Sequence, residues 1–390
     1  MTQRRGWCPS LFEPMATGDG LLVRVKPPGG VLAADAARLV ADAAARHGNG
    51  AIELTGRASL QCRGFTTRSA AAFADAIVQA GLASADRAAE RRRSVIAAPL
   101  AGGDPAGVVI AALETALERD TTLERLPAKF GFLVDGGALG LADVQADINL
   151  RVVGERCKVS LDGGAEVARI ATAEAAPAAL RLAHAFLALA GEERRMRALV
   201  GAMGEAAIFA AAGLARSPAS PRLSGRPTSI GWIEAGAFGV GVPFGSASGP
   251  VLAALADLAE RFGDGALRLT PWRAVILAGV ARSDIATLRA ALEPLDLIVD
   301  PEDPRLRVSA CPGQPGCAAA TVATRALAAA LRPKRGVSVH VSGCEKGCAH
   351  PGPAAITLVG REGAFDLVRR GRAGDAPVRR GLCEAEARAL

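Results

Sequence analysis

Leu22-Val-Arg-Val-Lys-Pro-Pro-Gly-Gly30 has the pattern of a short strand that ends in a turn, and a similar stretch lies 215 residues further on. The second copy runs Phe238-Gly-Val-Gly-Val-Pro-Phe-Gly245. After each copy come residues at helical spacing, a Gly-x-Gly turn and an alternating strand that ends in Leu-Thr. This shared order and spacing predicts an internal duplication. Within it, Trp272 has the position of a one-residue insertion that would place Arg273 opposite Arg57.

Each copy predicts a β-α-β-β unit, and the fold class is therefore α+β with a pseudo-twofold axis. A larger α/β domain should follow each unit. Asp104-Pro105 and Ala176-Pro177 indicate helix starts in the first of these, and strands are expected near 130–134 and 147–153. A linker rich in Ser, Pro and Gly covers 215–227. The predicted domains are residues 10–80 and 226–295 for the two half-domains, and 85–215 and 304–380 for the larger ones.

The composition excludes several classes of protein. Of 390 residues, 50% are hydrophobic and 22% are charged, which is typical of a folded globular chain. No apolar run of membrane-spanning length lacks a charge, so we expect no membrane association. The formal charge of +7 comes mainly from Arg, yet aromatic residues make up only 4% of the chain. Since single-strand nucleic-acid binding uses aromatic stacking platforms, no nucleic-acid partner is expected.

The chain has eight cysteines and no apolar segment after Arg4 and Arg5 that would suggest a secretion signal. A cytoplasmic location is expected, where the thiols would stay reduced. Cys8, Cys62, Cys157 and Cys383 show no pairing, and we expect each to be packed in the protein interior.

The other four cysteines form two motifs, Cys311-Pro-Gly-Gln-Pro-Gly-Cys317 and Ser342-Gly-Cys-Glu-Lys-Gly-Cys348. Their spacing indicates a ligand set of Cys311, Cys317, Cys344 and Cys348 for a 4Fe-4S cluster, whose thiolates come from loops of varied length. Glycines in both loops let the backbone approach a cluster closely. A helix is expected from Cys317 to Leu331.

Two other interpretations of these cysteines remain open. A zinc site is disfavoured by the five residues between the first pair, since zinc ribbons prefer two to four. Buried thiols without a ligand are more typical of cysteines that occur singly.

The two cysteine motifs and the paired β-α-β-β units resemble the nitrite/sulfite reductase superfamily. Within it, three stretches are similar to an oxygen-dependent enzyme of aerobic cobalamin biosynthesis: Arg5-Gly-Trp-Cys-Pro-Ser-Leu-Phe-Glu-Pro-Met-Ala-Thr-Gly-Asp-Gly-Leu-Leu-Val-Arg24, Leu126-Pro-Ala-Lys-Phe-Gly-Phe-Leu-Val-Asp-Gly-Gly137 and Ser342-Gly-Cys-Glu-Lys-Gly-Cys-Ala-His-Pro351. The resemblance is weak between 153 and 225. Sulfite reductases have Lys-Phe-Lys where this chain has Lys129-Phe130-Gly131, and the missing Lys disfavours six-electron reduction.

The resemblance implies a monooxygenase that inserts oxygen from dioxygen into the tetrapyrrole precorrin-3A, with closure of a γ-lactone. It also implies a separate non-haem iron beside the cluster. Only four histidines are present, and His350, close to Cys348, is the candidate catalytic residue. A histidine beside a cluster is as often a hydrogen-bond donor that tunes its potential. No dinucleotide-binding motif follows a strand, so electrons should come from an external donor protein or an NADH-linked reductase.

A tetrapyrrole polycarboxylate requires several fixed cations, and Arg pairs carboxylates in bidentate fashion. The positions that match the superfamily's anion-binding sites are Arg24, Lys26, Arg57, Arg93 and Lys129, and strand alternation adds Arg63. For any one of them, a solvated surface charge is the alternative.

Two further functions remain open. The first is a sirohaem-dependent nitrite or sulfite reductase, in which sirohaem would join the cluster. The second is a non-catalytic carrier that binds a tetrapyrrole and keeps the cluster for structure.

Overall fold

The computed structural model of the protein describes residues 9–218 and 227–390. Cys8 and most of the expected linker lie outside the described residues. Within the described part of the chain, no helix has both the length and the apolar character needed to cross a membrane.

The first half-domain is an antiparallel sheet covered by helices. Its helix α1 has an apolar face of Ala and Val residues that packs into the core, as its helical spacing predicts. The elements are β1 (Met15–Thr17), β2 (Gly20–Val25), β3 (Val31–Ala33), α1 (Ala34–His47), β4 (Ala51–Leu54), β5 (Leu60–Phe65) and α2 (Thr67–Gln79).

The first large domain has a six-stranded sheet in which β6, β7 and β8 are parallel and later strands are antiparallel. Asp104 caps the N-terminus of its helix α4, with Pro105 in the first turn, as expected. The elements are α3 (Arg87–Arg92), β6 (Val95–Ala97), α4 (Pro105–Arg119), β7 (Phe132–Asp135), β8 (Ile148–Val153), β9 (Arg156–Leu161), β10 (Glu166–Ala171), α5 (Ala175–Leu189), α6 (Met196–Met203), α7 (Glu205–Ala211) and β11 (Ser217–Pro218).

The second half-domain repeats the first. Its elements are β12 (Gly231–Ile233), β13 (Ala237–Gly241), β14 (Ser246–Ser248), α8 (Gly249–Phe262), β15 (Ala266–Leu269), β16 (Ala274–Ala278) and α9 (Ile285–Leu292). Helices α1 and α8 pack against each other, and both half-domains share one hydrophobic core.

The C-terminal domain repeats the strand arrangement of the first large domain, with β17, β18 and β19 parallel and β20 and β21 antiparallel. Its elements are β17 (Val308–Ala310), α10 (Thr324–Ala330), β18 (Val339–Ser342), β19 (Ala354–Arg361), β20 (Ala364–Gly371), β21 (Arg379–Leu382) and α11 (Glu384–Arg388).

The two half-domains exchange a strand. Strand β3 of the first pairs with β15 of the second, and β14 of the second pairs with β4 of the first. Each exchanged strand follows a turn that contains a left-handed residue, Gly29 in one copy and Phe244 in the other. This reciprocal exchange holds the halves together and was not predicted.

The duplication is confirmed, but the expected insertion at Trp272 is wrong. Ala58 and Arg273 both have left-handed backbone, with φ of 50° and 59°. The backbone hydrogen bond from Thr55 to Ser59 also recurs between Thr270 and Ala274. The offset of 215 residues therefore continues through the hairpin, and Arg273 is the counterpart of Ala58 rather than Arg57.

Two smaller expectations are also wrong. The helix expected from Cys317 begins only at Thr324, because residues 317–323 form turns that close the cysteine loop. Cys383 is exposed at the start of α11 rather than packed. Cys62 and Cys157 are buried as expected, and burial raises the pKa of each thiol to about 12.

Candidate functional site

The four clustered cysteines lie on loops at one edge of the C-terminal sheet. Cys311 directly follows β17, and Cys344 follows β18. Because the carboxyl ends of parallel strands lie at the same edge, the two loops meet there. The Gly343 backbone N–H donates a hydrogen bond of 3.1 Å to the Cys311 sulfur, which joins the loops directly.

The four thiols are close enough to interact electrostatically. Burial raises the pKa of Cys348, and negative charge on Cys344, Cys311 and Cys317 raises it further, while Lys346 lowers it. Thiolates this close together repel one another, and positively charged iron bound between them would reduce that repulsion.

Two glycines give the loops their close packing. A Cβ atom at Gly343 would lie 2.6 Å from the Ala320 Cβ, and one at Gly313 would lie 2.6 Å from the Thr324 backbone nitrogen. Gly313 also has a φ of 63°, which disfavours any side chain. The glycines therefore allow the two cysteine loops to pack closely against each other and against the start of α10.

The expected cluster would need all four cysteines as ligands. Within residues 9–218 and 227–390, no three His, Cys, Asp or Glu side chains are close enough together to hold one metal ion. A cubane cluster instead binds one thiolate at each of four separate corners. A 4Fe-4S cluster on Cys311, Cys317, Cys344 and Cys348 therefore stays a prediction.

Four of the six predicted substrate-binding residues line one cleft between the first half-domain and the first large domain. The cleft is narrow, with an enclosed volume of about 40 Å³, which is room for only a few water molecules. Its lining includes Arg24, Lys26, Arg57 and Arg93. Lys129 lies beside it, since its backbone carbonyl accepts a 2.9 Å hydrogen bond from the Arg57 guanidinium.

Buried carboxylates partly compensate the cations of the cleft. Lys26 lies 3.6 Å from the Glu90 carboxylate, and Arg93 donates to the same carboxylate at 2.8 Å. Glu114 accepts from the Gly29 backbone N–H and lies 3.8 Å from Arg93. Burial is the main cause that lowers the pKa of Lys26 to about 8 and raises the pKa of Glu114.

Arg63 lies outside this cleft. Its guanidinium is buried and donates two hydrogen bonds to Asp19, at 2.8 and 3.0 Å, and a third to the Gly316 carbonyl. The sequence grouped Arg63 with the substrate-binding cations of the cleft, whereas its side chain contacts Asp19 and the cysteine loop.

His350 lies at the end of the second cysteine loop, where its Nε2 is 3.2 Å from the Pro353 carbonyl. Its ring packs edge-on against His340, with 5.8 Å between ring centroids. Arg273 donates a 3.0 Å hydrogen bond to the Ala349 carbonyl beside them. The candidate histidine is therefore part of a small basic cluster.

His340 was not predicted from the sequence to be a functional residue. It is fully buried in β18, and among the described residues neither ring nitrogen has a hydrogen-bond partner. Burial lowers its pKa to about 4, with the charges of His350 and Arg273 adding to the effect. A polar residue at a core position of a strand that leads into a cysteine motif was the available signal.

Comparison with known proteins assigns this chain to a family. The precorrin-3B synthase of Sinorhizobium sp. is 34% identical over 398 aligned residues, covering 96% of this chain and 85% of that protein. The chain belongs to the precorrin-3B synthase family. The model of the nitrite/sulfite reductase ferredoxin-like half domain also matches, at residues 13–80 and 235–295, which are the two half-domains described above.

Two reductases are more distant matches to this chain. A ferredoxin–nitrite reductase of Synechococcus elongatus is 26% identical, covering 92% of this chain and 79% of the relative. The solved NirA protein of Mycobacterium tuberculosis matches with a TM-score of 0.73 at 22% identity, covering 93% of this chain and 77% of that one. The second similarity confirms the α+β fold. The relatives in the precorrin-3B synthase and nitrite reductase families are oxidoreductases.

Proposed function

We propose that this protein is a precorrin-3B synthase of cobalamin biosynthesis, which hydroxylates precorrin-3A with dioxygen and closes an acetate arm into a γ-lactone. The observation that carries the proposal is similarity along 96% of the chain to a precorrin-3B synthase. The grouping of the cations Arg24, Lys26, Arg57 and Arg93 supports it, because the substrate carries many carboxylates.

The cations of the cleft would bind and orient the carboxylate arms. Arg24 and Arg57 offer planar donor groups suited to bidentate pairing, and Lys26 adds a point charge. The carbonyl of Lys129 fixes Arg57, so the first half-domain and the large domain present their charges together. If these cations bind several carboxylate arms at the same time, the macrocycle has a fixed orientation, and only one of its edges can lie at the reacting position.

Gly131 supports oxygen insertion over anion reduction. Its backbone N–H donates to Asp147 at 3.0 Å, and a Cβ atom there would lie 3.4 Å from the Arg57 guanidinium. Arg57 therefore has no lysine neighbour at this position, unlike the Lys-Phe-Lys of sulfite reductases. This chain therefore offers less positive charge for binding a small anion such as sulfite than a sulfite reductase does.

We propose that Cys311, Cys317, Cys344 and Cys348 hold a 4Fe-4S cluster. Such a cluster would supply electrons one at a time, and the donor would be an external protein of the ferredoxin type or an NADH-linked reductase. The overall reaction needs two electrons and two protons, because one oxygen atom enters the substrate and the other leaves as water.

The non-haem iron implied by the resemblance finds no complete ligand set. The described residues contain no group of three suitable side chains, and His340 and His350 supply only two imidazoles. Two histidines and a carboxylate therefore do not form such a triad in the part of the chain that the structure describes. We assign no step to such iron, and propose His340 and His350 as polar groups that face a bound group beside the cluster.

Turnover with precorrin-3A tests the proposal. Purified protein with a chemical reductant should convert precorrin-3A only when dioxygen is admitted. Sulfite- or nitrite-dependent electron consumption, with an intense haem-like Soret band, would instead support a sirohaem reductase, to which the 26% identical nitrite reductase points. Tight binding of precorrin-3A without oxygen uptake would support a non-catalytic carrier.

A further inference from the structure

Arg63 connects the first half-domain to the cysteine loop. It lies in β5 with its side chain only 6% exposed. Its Nε and Nη2 donate to the two carboxylate oxygens of Asp19, and Nη2 also lies 2.5 Å from the Gly316 carbonyl oxygen. Gly316 directly precedes Cys317. A single guanidinium therefore contacts both the turn between β1 and β2 and the cysteine loop.

Asp19 is itself held firmly in that turn. Its carboxylate accepts hydrogen bonds from Thr17 at 2.8 Å and from Asn49 at 3.0 Å. The neighbouring Gly18 lies directly on the loop, because a Cβ atom there would be 2.4 Å from the Ala318 backbone nitrogen. The turn thus covers the backbone around Cys317.

The Cys311 end of the same loop is connected to Arg63 through two further ion pairs. Glu53 lies 3.6 Å from Arg63 and pairs with Arg325 on α10. Arg325 follows Thr324, whose hydroxyl donates to the Cys311 carbonyl. Both ends of the Cys311–Cys317 loop are therefore fixed to the first half-domain.

Arg63 also acts on the cysteines through its charge. Burial alone lowers the pKa of Arg63, but its hydrogen bond to Asp19 and the negative charges of Glu53, Asp19 and Cys317 raise the value above normal. The Cys317 thiolate is thus within electrostatic reach of a guanidinium that is shielded from water. Charges in such surroundings interact more strongly than at the surface.

We propose that the ion pair of Arg63 and Asp19 sets the reduction potential of the cluster, with Arg63 raising it and Asp19 limiting that rise. This inference rests on the proposed cluster. Reduction adds one electron from the donor to the cluster, and the added negative charge is stabilised by a nearby cation and destabilised by a nearby anion. Arg63 acts here as a positioning residue for the cluster rather than as a ligand of the substrate.

Two substitutions separate this electrostatic role from a structural one. Arg63→Met removes the cation and leaves Asp19 uncompensated, while Asp19→Asn removes the anion and leaves Arg63 uncompensated. Both break the same ion pair. If the pair only held the loop in place, the two variants would change the cluster in the same direction.

The test is a redox titration of the cluster, followed by low-temperature electron paramagnetic resonance, in the full-length protein. At a fixed potential near the wild-type midpoint, we expect the ratio of reduced to oxidised cluster to fall on the order of tenfold in Arg63→Met, about 59 mV for a one-electron couple. Asp19→Asn should raise the same ratio. Arg38→Met, which removes an exposed ion pair with Asp257 and Glu260, is the matched control and should leave the midpoint unchanged.

Shifts in the same direction, or none, in both variants would overturn the inference while leaving the cluster in place. If Arg63→Met does not accumulate, the sign of the shift in Asp19→Asn decides, since that change preserves the size of the side chain and keeps one of its two acceptor oxygens. A wild-type protein reconstituted with iron and sulfide that shows no cluster signal would instead overturn the proposed cofactor, and the inference with it.

Discussion

The Arg57 guanidinium donates a 2.9 Å hydrogen bond to the backbone carbonyl of Lys129. The contact joins a hairpin of the first half-domain to the loop that precedes β7 in the large domain. Because it uses the backbone of Lys129, the ammonium group takes no part in it. Replacing the Lys129 side chain should therefore leave this connection intact.

We expect Lys129→Ala and Arg24→Ala to weaken binding of precorrin-3A by about tenfold each, since a hydrogen bond to a charged group contributes about 1.5–3 kcal/mol. Anaerobic titration with precorrin-3A measures the change. Lys158→Ala, which removes an exposed lysine from β9, is the control and should bind like the wild type. Unchanged affinity in both Lys129→Ala and Arg24→Ala would remove these two residues from the binding site.

Lys26 makes binding depend on pH. Burial lowers the pKa of Lys26 to about 8 in the free protein, so the cation is lost as the pH rises through that value. Affinity for the polycarboxylate should then fall, with a limiting slope of about tenfold per pH unit above pH 8. Lys26→Met should bind more weakly and lack this pH dependence.

The same group affects stability in the opposite direction. The pKa of Lys26 is lower in the folded protein than its usual value of 10.5, so folding is penalised while the lysine is charged. The free energy of unfolding should therefore rise between pH 8 and 10.5 more in the wild type than in Lys26→Met, as measured by denaturant titration. Equal slopes in the two proteins would contradict this assignment.

Each clustered cysteine should be required for the cluster. After anaerobic reconstitution, we expect the wild type to contain about four iron and four sulfide atoms per chain. Cys317→Ser and Cys344→Ser should lose most of both, since serine is a poor ligand for iron in such clusters. Cys383→Ser, at an exposed position, should retain them. Full iron and sulfide content in the first two variants would exclude these thiols as ligands.

His340 should lower the stability of the folded protein and should be needed for turnover of precorrin-3A. Its two buried ring nitrogens lack partners, and each such group costs about 1–3 kcal/mol. His340→Leu should therefore maintain or raise the melting temperature of the cluster-free protein while it strongly reduces turnover of precorrin-3A. A lower melting temperature with normal turnover would show that His340 is an ordinary packing residue.

The sequence was sufficient for the features that repeat or cluster locally. The 215-residue offset predicted two half-domains, because strands and helices of the same length recur at fixed spacing. The two cysteine motifs could be grouped because both lie close together in sequence. Four cations that line the cleft were grouped by their match to the superfamily's anion-binding positions, and the structure places them together.

Other features depend on contacts that no local pattern records. The exchange of β3 and β14 joins strands that are about 200 residues apart, and nothing in either strand specifies its partner. Arg63 shares the strand alternation expected of a binding residue, but its partners Asp19 and Gly316 come from distant loops. The helix expected from Cys317 starts seven residues later, at Thr324. Closure of the cysteine loop outweighs the helix propensity of the alanines at 318–320.

Labelling with heavy dioxygen tests the central claim most directly. Precorrin-3A is incubated with the reconstituted protein, a reductant and ¹⁸O₂, and the tetrapyrrole is then analysed by mass spectrometry. We predict a product that carries one ¹⁸O atom, formed in the wild type and lost in Cys344→Ser. A product without the label, or no product from protein that contains its full cluster, would contradict the assignment as an oxygen-inserting enzyme.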